Sequence, residues 1–119
     1  LEMARSLGYQ RVICAFQPHT YTRTAALFHE FVTELRTADI AVLTDIYAAR
    51  EKNTIGISSA DLAREIPGAR YCPTLEETAQ TLRKLAQPGD LILTVGAGDI
   101  FTAGEIIVRQ DREMQPIIP

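Results

Sequence analysis

Four stretches of nearly continuous apolar residues alternate along the chain with stretches in which apolar residues recur at helical spacing. The apolar stretches cover residues 12–16, 40–46, 69–72 and 90–95. Short runs of this kind are typical of strands that are buried on both faces of a parallel sheet. We therefore predict a strand in each of them.

The segments between the predicted strands have the three- to four-residue apolar spacing of amphipathic helices. Serine, threonine and Pro-Gly pairs supply start and stop signals at several of their ends. The predicted helices cover residues 1–7, about 27–35, 58 or 59 to 66, 74 to the Pro88-Gly89 pair, and about 100–109.

Strands that alternate with helices predict parallel βαβ units joined by right-handed crossovers. The expected fold class is therefore α/β, with an open, mostly parallel sheet and helices on both of its faces. In such sheets a ligand lies beyond the carboxyl ends of the strands. Residues 16–24, 45–53 and 96–99 follow three predicted strands and are expected to share that edge.

Length and hydrophobic content predict a single domain. The chain has 119 residues, of which 46% are hydrophobic, and this is sufficient for one packed core. We expect the domain to span residues 1–109 and residues 110–119 to form a frayed tail. Because nothing in the sequence caps a helix that begins at Leu1, we expect the chain to start within an element of a longer protein.

Charge and cysteine content exclude several classes of function. The 12 basic and 15 acidic residues give a net charge of −3 without a basic stripe, so no nucleic acid is expected as a partner. No apolar run approaches the roughly 20 residues of a membrane span and no signal peptide is recognisable, so we expect a cytoplasmic location away from membranes. Cys14 and Cys72 lie in predicted strands without metal ligands beside them, which predicts reduced core residues and no metal site.

The first edge segment, residues 16–24, concentrates polar groups where a helix is expected to begin. Free N–H groups at that helix start, several hydroxyl groups and the Arg23 guanidinium predict an anion site, in which Arg23 grips a carboxylate through two hydrogen bonds. The alternative is a plain helix start that is capped by Thr22 or Thr24, with Arg23 in solvent and His19 as a surface group.

The second edge segment offers a carboxylate and an aromatic ring. Asp45 stands at the end of a predicted strand, and Tyr47 follows two residues later. Tyr47 either stacks on a ligand or covers the sheet edge. The charged run at residues 50–52 is expected to be solvated, as such runs usually are.

The third edge segment, residues 96–99, reads G-A-G-D. Its small residues let a ligand approach the backbone, and Asp99 is expected to cap the next helix. The spacing does not match a dinucleotide-binding fingerprint because position 101 is Phe. The chain also lacks a phosphate-binding loop, a nucleophile elbow and paired metal histidines, so no catalytic residue is expected in this fragment alone.

Three motifs resemble those in the C-terminal domain of the Mur ligases. Residues 16–24 read F-Q-P-H-T-Y-T-R-T, which is similar to the family pattern F-Q-P-H-x-Y-x-R-T. Residues 45–51, D-I-Y-A-A-R-E, and residues 96–100, G-A-G-D-I, are similar to the patterns D-[IV]-Y-A-A-x-E and G-A-G-[DN]-I. The resemblance covers residues 1–108 and is strongest to the members that join L-alanine to UDP-N-acetylmuramate.

The resemblance implies both a fold and a function. Mur ligases have one domain for the UDP-sugar, a central domain with a phosphate-binding loop for ATP and magnesium, and a third, Rossmann-like domain that closes over the active site. In the implied reaction, a step of peptidoglycan precursor synthesis, the muramoyl carboxylate is phosphorylated and the amine of L-alanine attacks the acyl phosphate. This chain would be the third domain, which positions the amino acid and is inactive without the N-terminal and central domains.

The resemblance also implies site residues in this chain. His19 and Arg23 would lie at the L-alanine site, with Arg23 as the carboxylate clamp and Tyr21 shaping the loop. The residues that would line the rest of the cleft are Tyr47, Ala48, Gly96, Ala97, Gly98 and Asp99. No residue is assigned to ATP.

Two positions depart from the family pattern. Thr20 stands where many relatives have Arg, so the grip on the carboxylate rests more heavily on Arg23. Arg50 stands where many relatives have Gly, and its side chain has no assigned role. The family motif D-Y-G-H-H-P-T-E, expected just upstream, is not in the chain, in agreement with a start inside a longer protein.

Two alternatives stay open at this point. In the first alternative, the chain is the same domain of another Mur ligase or of a folylpolyglutamate-type ligase. Competition among alanine, glutamate, lysine and glycine as substrates would distinguish these enzymes. The second alternative is a non-catalytic Rossmann-like module that binds a small anion or a nucleotide. An upstream phosphate-binding loop would argue against that module.

Overall fold

The computed structural model describes residues 11–96. Within this range the strands are β1 (Arg11–Gln17), β2 (Ile40–Leu43), β3 (Arg70–Tyr71) and β4 (Asp90–Gly96). The helices are α1 (Tyr21–Ala26), α2 (Phe28–Leu35), α3 (Ser59–Arg64) and α4 (Leu75–Leu85). The helices predicted at residues 1–7 and 100–109, the tail at 110–119 and most of the segment at 96–99 lie outside the described residues.

The strands form one sheet in the order β3-β2-β1-β4, and every neighbouring pair is parallel. In the centre of the sheet Ile13 lies between Ile40 of β2 and Ile92 of β4. A parallel pair requires a crossover connection, and a helix precedes each strand after β1. The predicted α/β class with a parallel sheet is confirmed.

Helices cover both faces of the sheet. The cluster on the α4 face consists of Ile13, Ala15, Val42, Cys72, Ala79, Leu82 and Ile92. The cluster on the face of α2 and α3 consists of Cys14, Phe16, Val32, Leu35, Ala41, Leu43, Leu62 and Ile66. Because alternate residues of β1 enter opposite clusters, the strand is apolar at consecutive positions.

The buried cysteines belong to this core and not to a reactive site. Cys14 and Cys72 are free and buried, as predicted. Burial raises the pKa of the Cys14 thiol to about 12, which keeps it protonated at neutral pH. A protonated, inaccessible thiol is a poor nucleophile and a poor metal ligand.

The path of the chain through the sheet reverses between β1 and β4. From β1 the chain moves outward to β2 and then β3, with α2 and α3 packed on one face. It then returns across the sheet to β4 through α4, which packs on the opposite face. Open α/β sheets bind ligands at the point of such a reversal, beyond the carboxyl ends of the two strands.

Two differences from the predicted elements lie at the carboxyl edge of the sheet. The predicted strand at residues 40–46 ends at Leu43, and the hydroxyl of the next residue, Thr44, donates a hydrogen bond to the carbonyl of Pro73 at 3.2 Å. The segment at residues 16–24 is not all loop, since α1 begins at Tyr21 and is separated from α2 by Leu27. Its cap is Thr20, whose hydroxyl accepts a hydrogen bond from the Arg23 N–H at 3.3 Å, and not Thr22 or Thr24.

Candidate functional site

The segments that follow β1 and β2 are joined by backbone hydrogen bonds beyond the ends of the strands. Thr44 donates its N–H to the Phe16 carbonyl at 3.1 Å, and Tyr47 donates to the Pro18 carbonyl at 2.8 Å. The Thr20 N–H then donates to the Tyr47 carbonyl at 2.8 Å. The parallel pairing thus continues to His19 and Tyr47, which form an isolated bridge.

His19 and Tyr47 stack on each other at this bridge. Their ring centroids are 5.6 Å apart and the ring planes are inclined by 14°. Both side chains are partly exposed. One face of each ring is therefore covered by the other ring, and the predicted stacking of Tyr47 on a ligand is restricted to its outer face.

The start of α1 is occupied by the carboxylate of Glu51. One oxygen, Oε1, accepts hydrogen bonds from the backbone N–H of Tyr21 at 2.7 Å and of Thr22 at 3.1 Å. The other, Oε2, accepts the Thr22 hydroxyl at 2.7 Å. These bonds, the one from the Thr22 hydroxyl first among them, lower the pKa of Glu51. The anion that the N–H groups of this helix start bind is thus the protein's own carboxylate.

Sequence reasoning missed Glu51, because it placed this residue in a solvated charge cluster. The structure instead shows a half-buried carboxylate that bonds to residues 29 and 30 positions earlier in the chain. A signal was available, since the D-I-Y-A-A-R-E motif of residues 45–51 ends on this glutamate. Local composition carries no information on a partner so far away.

Thr20 has an unusual backbone conformation. Its φ of 63° and ψ of 151° fall in a region that is adopted almost only by glycine, at a cost of about 1–3 kcal/mol. Hydrogen bonds hold it there. Besides the bond to Tyr47, the Thr20 carbonyl accepts the N–H of Thr24 at 3.2 Å and its hydroxyl at 2.6 Å. Thr24 itself is completely buried.

Arg23 projects from α1 at the same edge. Its side chain is exposed, and within residues 11–96 its guanidinium takes part in no hydrogen bond or ion pair. The cationic group is thus carried by a helix that is fixed at its start by Thr20 and Glu51. This arrangement suits a positive group that binds an external anion.

Gly96 brings the end of β4 against the end of β1. It pairs with Gln17, and its φ is 139°. A Cβ atom added to Gly96 would lie 2.4 Å from the Gln17 carbonyl oxygen, closer than real contacts allow. The third edge segment therefore begins beside the first, at the reversal between β1 and β4. Ala97, Gly98 and Asp99 lie outside the described residues.

The remaining predicted edge residues have internal contacts. The Tyr71 hydroxyl donates a hydrogen bond to Asp45, which raises the pKa of Tyr71 to about 12. Ala48 is partly buried, and its carbonyl accepts the Glu51 N–H at 3.0 Å. Asp45 thus belongs to a pair at the β2 and β3 ends, whereas Ala48 lies in the turn that returns Glu51 to α1.

The start of α1 does not suit the phosphates of a nucleotide. The Glu51 carboxylate fills the start of α1 and would repel a phosphate placed there. Among residues 11–96, no three His, Cys, Asp or Glu side chains are grouped so that they could hold a metal ion.

No helix in the described part of the chain has both the length and the apolar character that crossing a membrane needs.

Comparison with known proteins identifies the family. The family model described as "Mur ligase, glutamate ligase domain" matches residues 1–98. The chain is 46% identical over 118 residues to a UDP-N-acetylmuramate–L-alanine ligase of Acetivibrio thermocellus, covering 96% of this chain and 25% of that protein. It is 47% identical over 103 residues to the ligase of the same name from Syntrophotalea carbinolica, covering 82% of this chain and 22% of the relative.

A third relative, from Lachnospira eligens, has the same name and is 45% identical over 113 residues, which cover 92% of this chain and 25% of that protein. The chain thus spans about a quarter of the length of the curated relatives it matches. The resemblance seen in the motifs is confirmed by the family model and by these relatives. The chain belongs to the Mur ligase family, through the domain described as the glutamate ligase domain.

Proposed function

We propose that this chain is the amino-acid-positioning domain of a longer ATP-dependent ligase that joins L-alanine to UDP-N-acetylmuramate in peptidoglycan precursor synthesis. The observation that carries the proposal is the exposed Arg23 side chain on α1, a helix that begins at the same carboxyl edge of the sheet as the stacked His19 and Tyr47 rings. The relatives that share this domain are named for that reaction.

In the proposed mechanism, Arg23 binds the carboxylate of L-alanine and thereby directs its amine away from the domain. Hydrogen bonds to a charged group contribute about 1.5–3 kcal/mol each, which corresponds to roughly a 10- to 150-fold change in affinity. The stacked pair of His19 and Tyr47 forms one wall of the site, and Gly96 lies at the end of β4, paired with Gln17 of β1. Fixing two substrates relative to each other removes much of the entropic barrier to their reaction.

The chemical step itself is assigned to the remainder of the longer protein. ATP and magnesium would be bound there, where they supply the phosphorylation that activates the muramoyl carboxylate. Closure of this domain over that site would exclude water, which otherwise hydrolyses an acyl phosphate. On this proposal the present chain contains no catalytic residue and is inactive by itself.

The test is a ligation assay of the complete protein with ATP, magnesium and UDP-N-acetylmuramate. Alanine, glutamate, lysine and glycine are supplied one at a time, and formation of the UDP-muramoyl amino acid is followed by mass spectrometry. We expect the complete protein to form product with L-alanine, and we expect residues 1–119 alone to form none. Preference for glutamate or lysine would instead indicate another amino-acid ligase, and binding of small anions without ligation would indicate a non-catalytic module.

A further inference from the structure

Glu51 and Arg23 have opposite surroundings although they lie at the same edge of the sheet. The Glu51 carboxylate accepts three hydrogen bonds from the first turn of α1. The Arg23 guanidinium, which extends from the same helix, has no bonded partner among residues 11–96. Among residues 11–96, the groups at this edge that attract a carboxylate are the start of α1, the Arg23 guanidinium and the exposed side chains of Arg50 and Lys52, and the start of α1 is already occupied by Glu51.

We propose that Glu51 is a positioning residue of the amino-acid site. The Glu51 side chain fills the start of α1, so the carboxylate of the substrate cannot bind there. Glu51 also holds α1 in place, and the substrate carboxylate is then bound by Arg23. This inference rests on the proposed function. The inference adds to the proposed function one residue, Glu51, whose side chain acts through α1 and does not touch the substrate.

The geometry supports a rigid link between the second edge segment and α1. Tyr47 accepts the Thr20 N–H on one side of the cap, and Glu51 accepts the Tyr21 and Thr22 N–H groups on the other. The two anchors are separated by only four positions in sequence. Between them Ala49 has a φ of 55°, and the Glu51 N–H bonds back to the Ala48 carbonyl.

This turn aims the carboxylate at the helix start, so α1 is held at both sides of its first residue. The hydrogen bonds to Thr20 also hold the strained peptide from which α1 departs. If Glu51 is removed, the first turn loses one of its two anchors and two N–H groups become open to solvent or to a free carboxylate. The backbone from which Arg23 projects is then held by the Thr20 anchor alone, while the core on the two faces of the sheet is not altered.

The experiment uses the complete protein and measures KM separately for L-alanine, ATP and UDP-N-acetylmuramate. We expect Glu51→Ala to raise the KM for L-alanine about tenfold or more, since misplacement of a binding group by about 1 Å has effects of this size. The KM values for the other two substrates should stay within about twofold. The kcat of the variant, measured at saturating L-alanine, should stay close to the wild-type value, and this would also show that the variant is folded.

Graded and matched variants separate positioning from a general loss of structure. Glu51→Gln keeps one acceptor oxygen and should have a smaller effect than Glu51→Ala. Thr22→Val removes only the hydroxyl bond and should have a smaller effect still. Glu65→Gln makes the same change of charge at an exposed position at the end of α3, and should leave all three KM values unchanged.

The possible failures are distinguishable. If the wild-type protein ligates no L-alanine, the proposed function is wrong and the positioning role is wrong with it. If the wild-type protein is active and Glu51→Ala leaves the KM for L-alanine unchanged, only the positioning role is wrong. An equal rise of all three KM values would also overturn it, because it would show that Glu51 supports the fold and not the amino-acid site.

Discussion

The amino and carboxyl edges of the sheet both use a carboxylate to connect elements that are distant in sequence, but they treat their cations differently. At the amino edge Arg11 donates two hydrogen bonds to Asp90, from Nε at 3.0 Å and from Nη2 at 2.7 Å. Arg11 also donates to the Leu85 carbonyl at 2.8 Å, and Asp90 accepts the Gln87 N–H at 2.8 Å. At the carboxyl edge Glu51 bonds to neutral donors and Arg23 is exposed.

The difference between the two edges indicates that the amino edge stabilises the fold and that the carboxyl edge binds a ligand. At the amino edge, the paired charges lower the pKa of Asp90 and raise that of Arg11, so each group stabilises the charged form of the other. Three of the five guanidinium donors of Arg11 are thus used within the protein, and this cation serves to join β1 to β4. At the carboxyl edge the backbone is strained at Thr20 and a cation remains free, and such features are typical of functional sites.

The largest expected effect on stability is that of Gly96→Ala. The added Cβ would meet the Gln17 carbonyl at 2.4 Å in a backbone conformation that alanine rarely adopts, and we expect a loss of about 2–4 kcal/mol. Gly68→Ala is the matched control, because Gly68 also has a positive φ but has open space around it. Hydrogen exchange of the β1 amides measures the loss of stability in each of the two variants. Equal losses would show that strain alone, and not the close approach of β4 to β1, makes a glycine necessary at position 96.

A smaller loss is expected from Asp90→Asn at the amino edge. The substitution removes the charge that pairs with Arg11, whose side chain is 32% exposed. We expect it to lower the free energy of unfolding, measured by hydrogen exchange of the β1 amides, by about 1–2 kcal/mol. Glu65→Gln is the control, since it also neutralises a carboxylate but at an exposed position, and should cost less than about 0.5 kcal/mol. In the complete protein, Asp90→Asn should leave the KM for L-alanine unchanged. A rise in that KM would contradict the division of roles between the two edges.

The sequence predicted the sheet well because its strands are buried on both faces. Residues 12–16 and 90–95 are apolar at nearly every position, and the observed strands extend these runs by only one or two residues. The location of the three edge segments followed from the alternation of strands and helices. The reversal between β1 and β4 was beyond sequence reasoning, because it depends on which faces the helices cover.

The contacts within the site were less predictable. Glu51 stands between Arg50 and Lys52, and nothing local distinguishes it from a solvated charge. Its partners, Tyr21 and Thr22, become neighbours only after β1 and β2 have paired. The conformation of Thr20 was hidden for a similar reason, since a β-branched residue is rarely found at positive φ without external support.

The central claim is that Arg23 binds the carboxylate of L-alanine, and steady-state kinetics of Arg23→Ala in the complete protein tests it most directly. The account predicts that the KM for L-alanine rises about 10- to 150-fold, since the variant loses hydrogen bonds to a charged group, while the KM for ATP changes by less than about twofold. Arg23→Lys, which keeps the charge but loses the planar pair of donors, should fall between the two. Equal changes in both KM values would contradict the account.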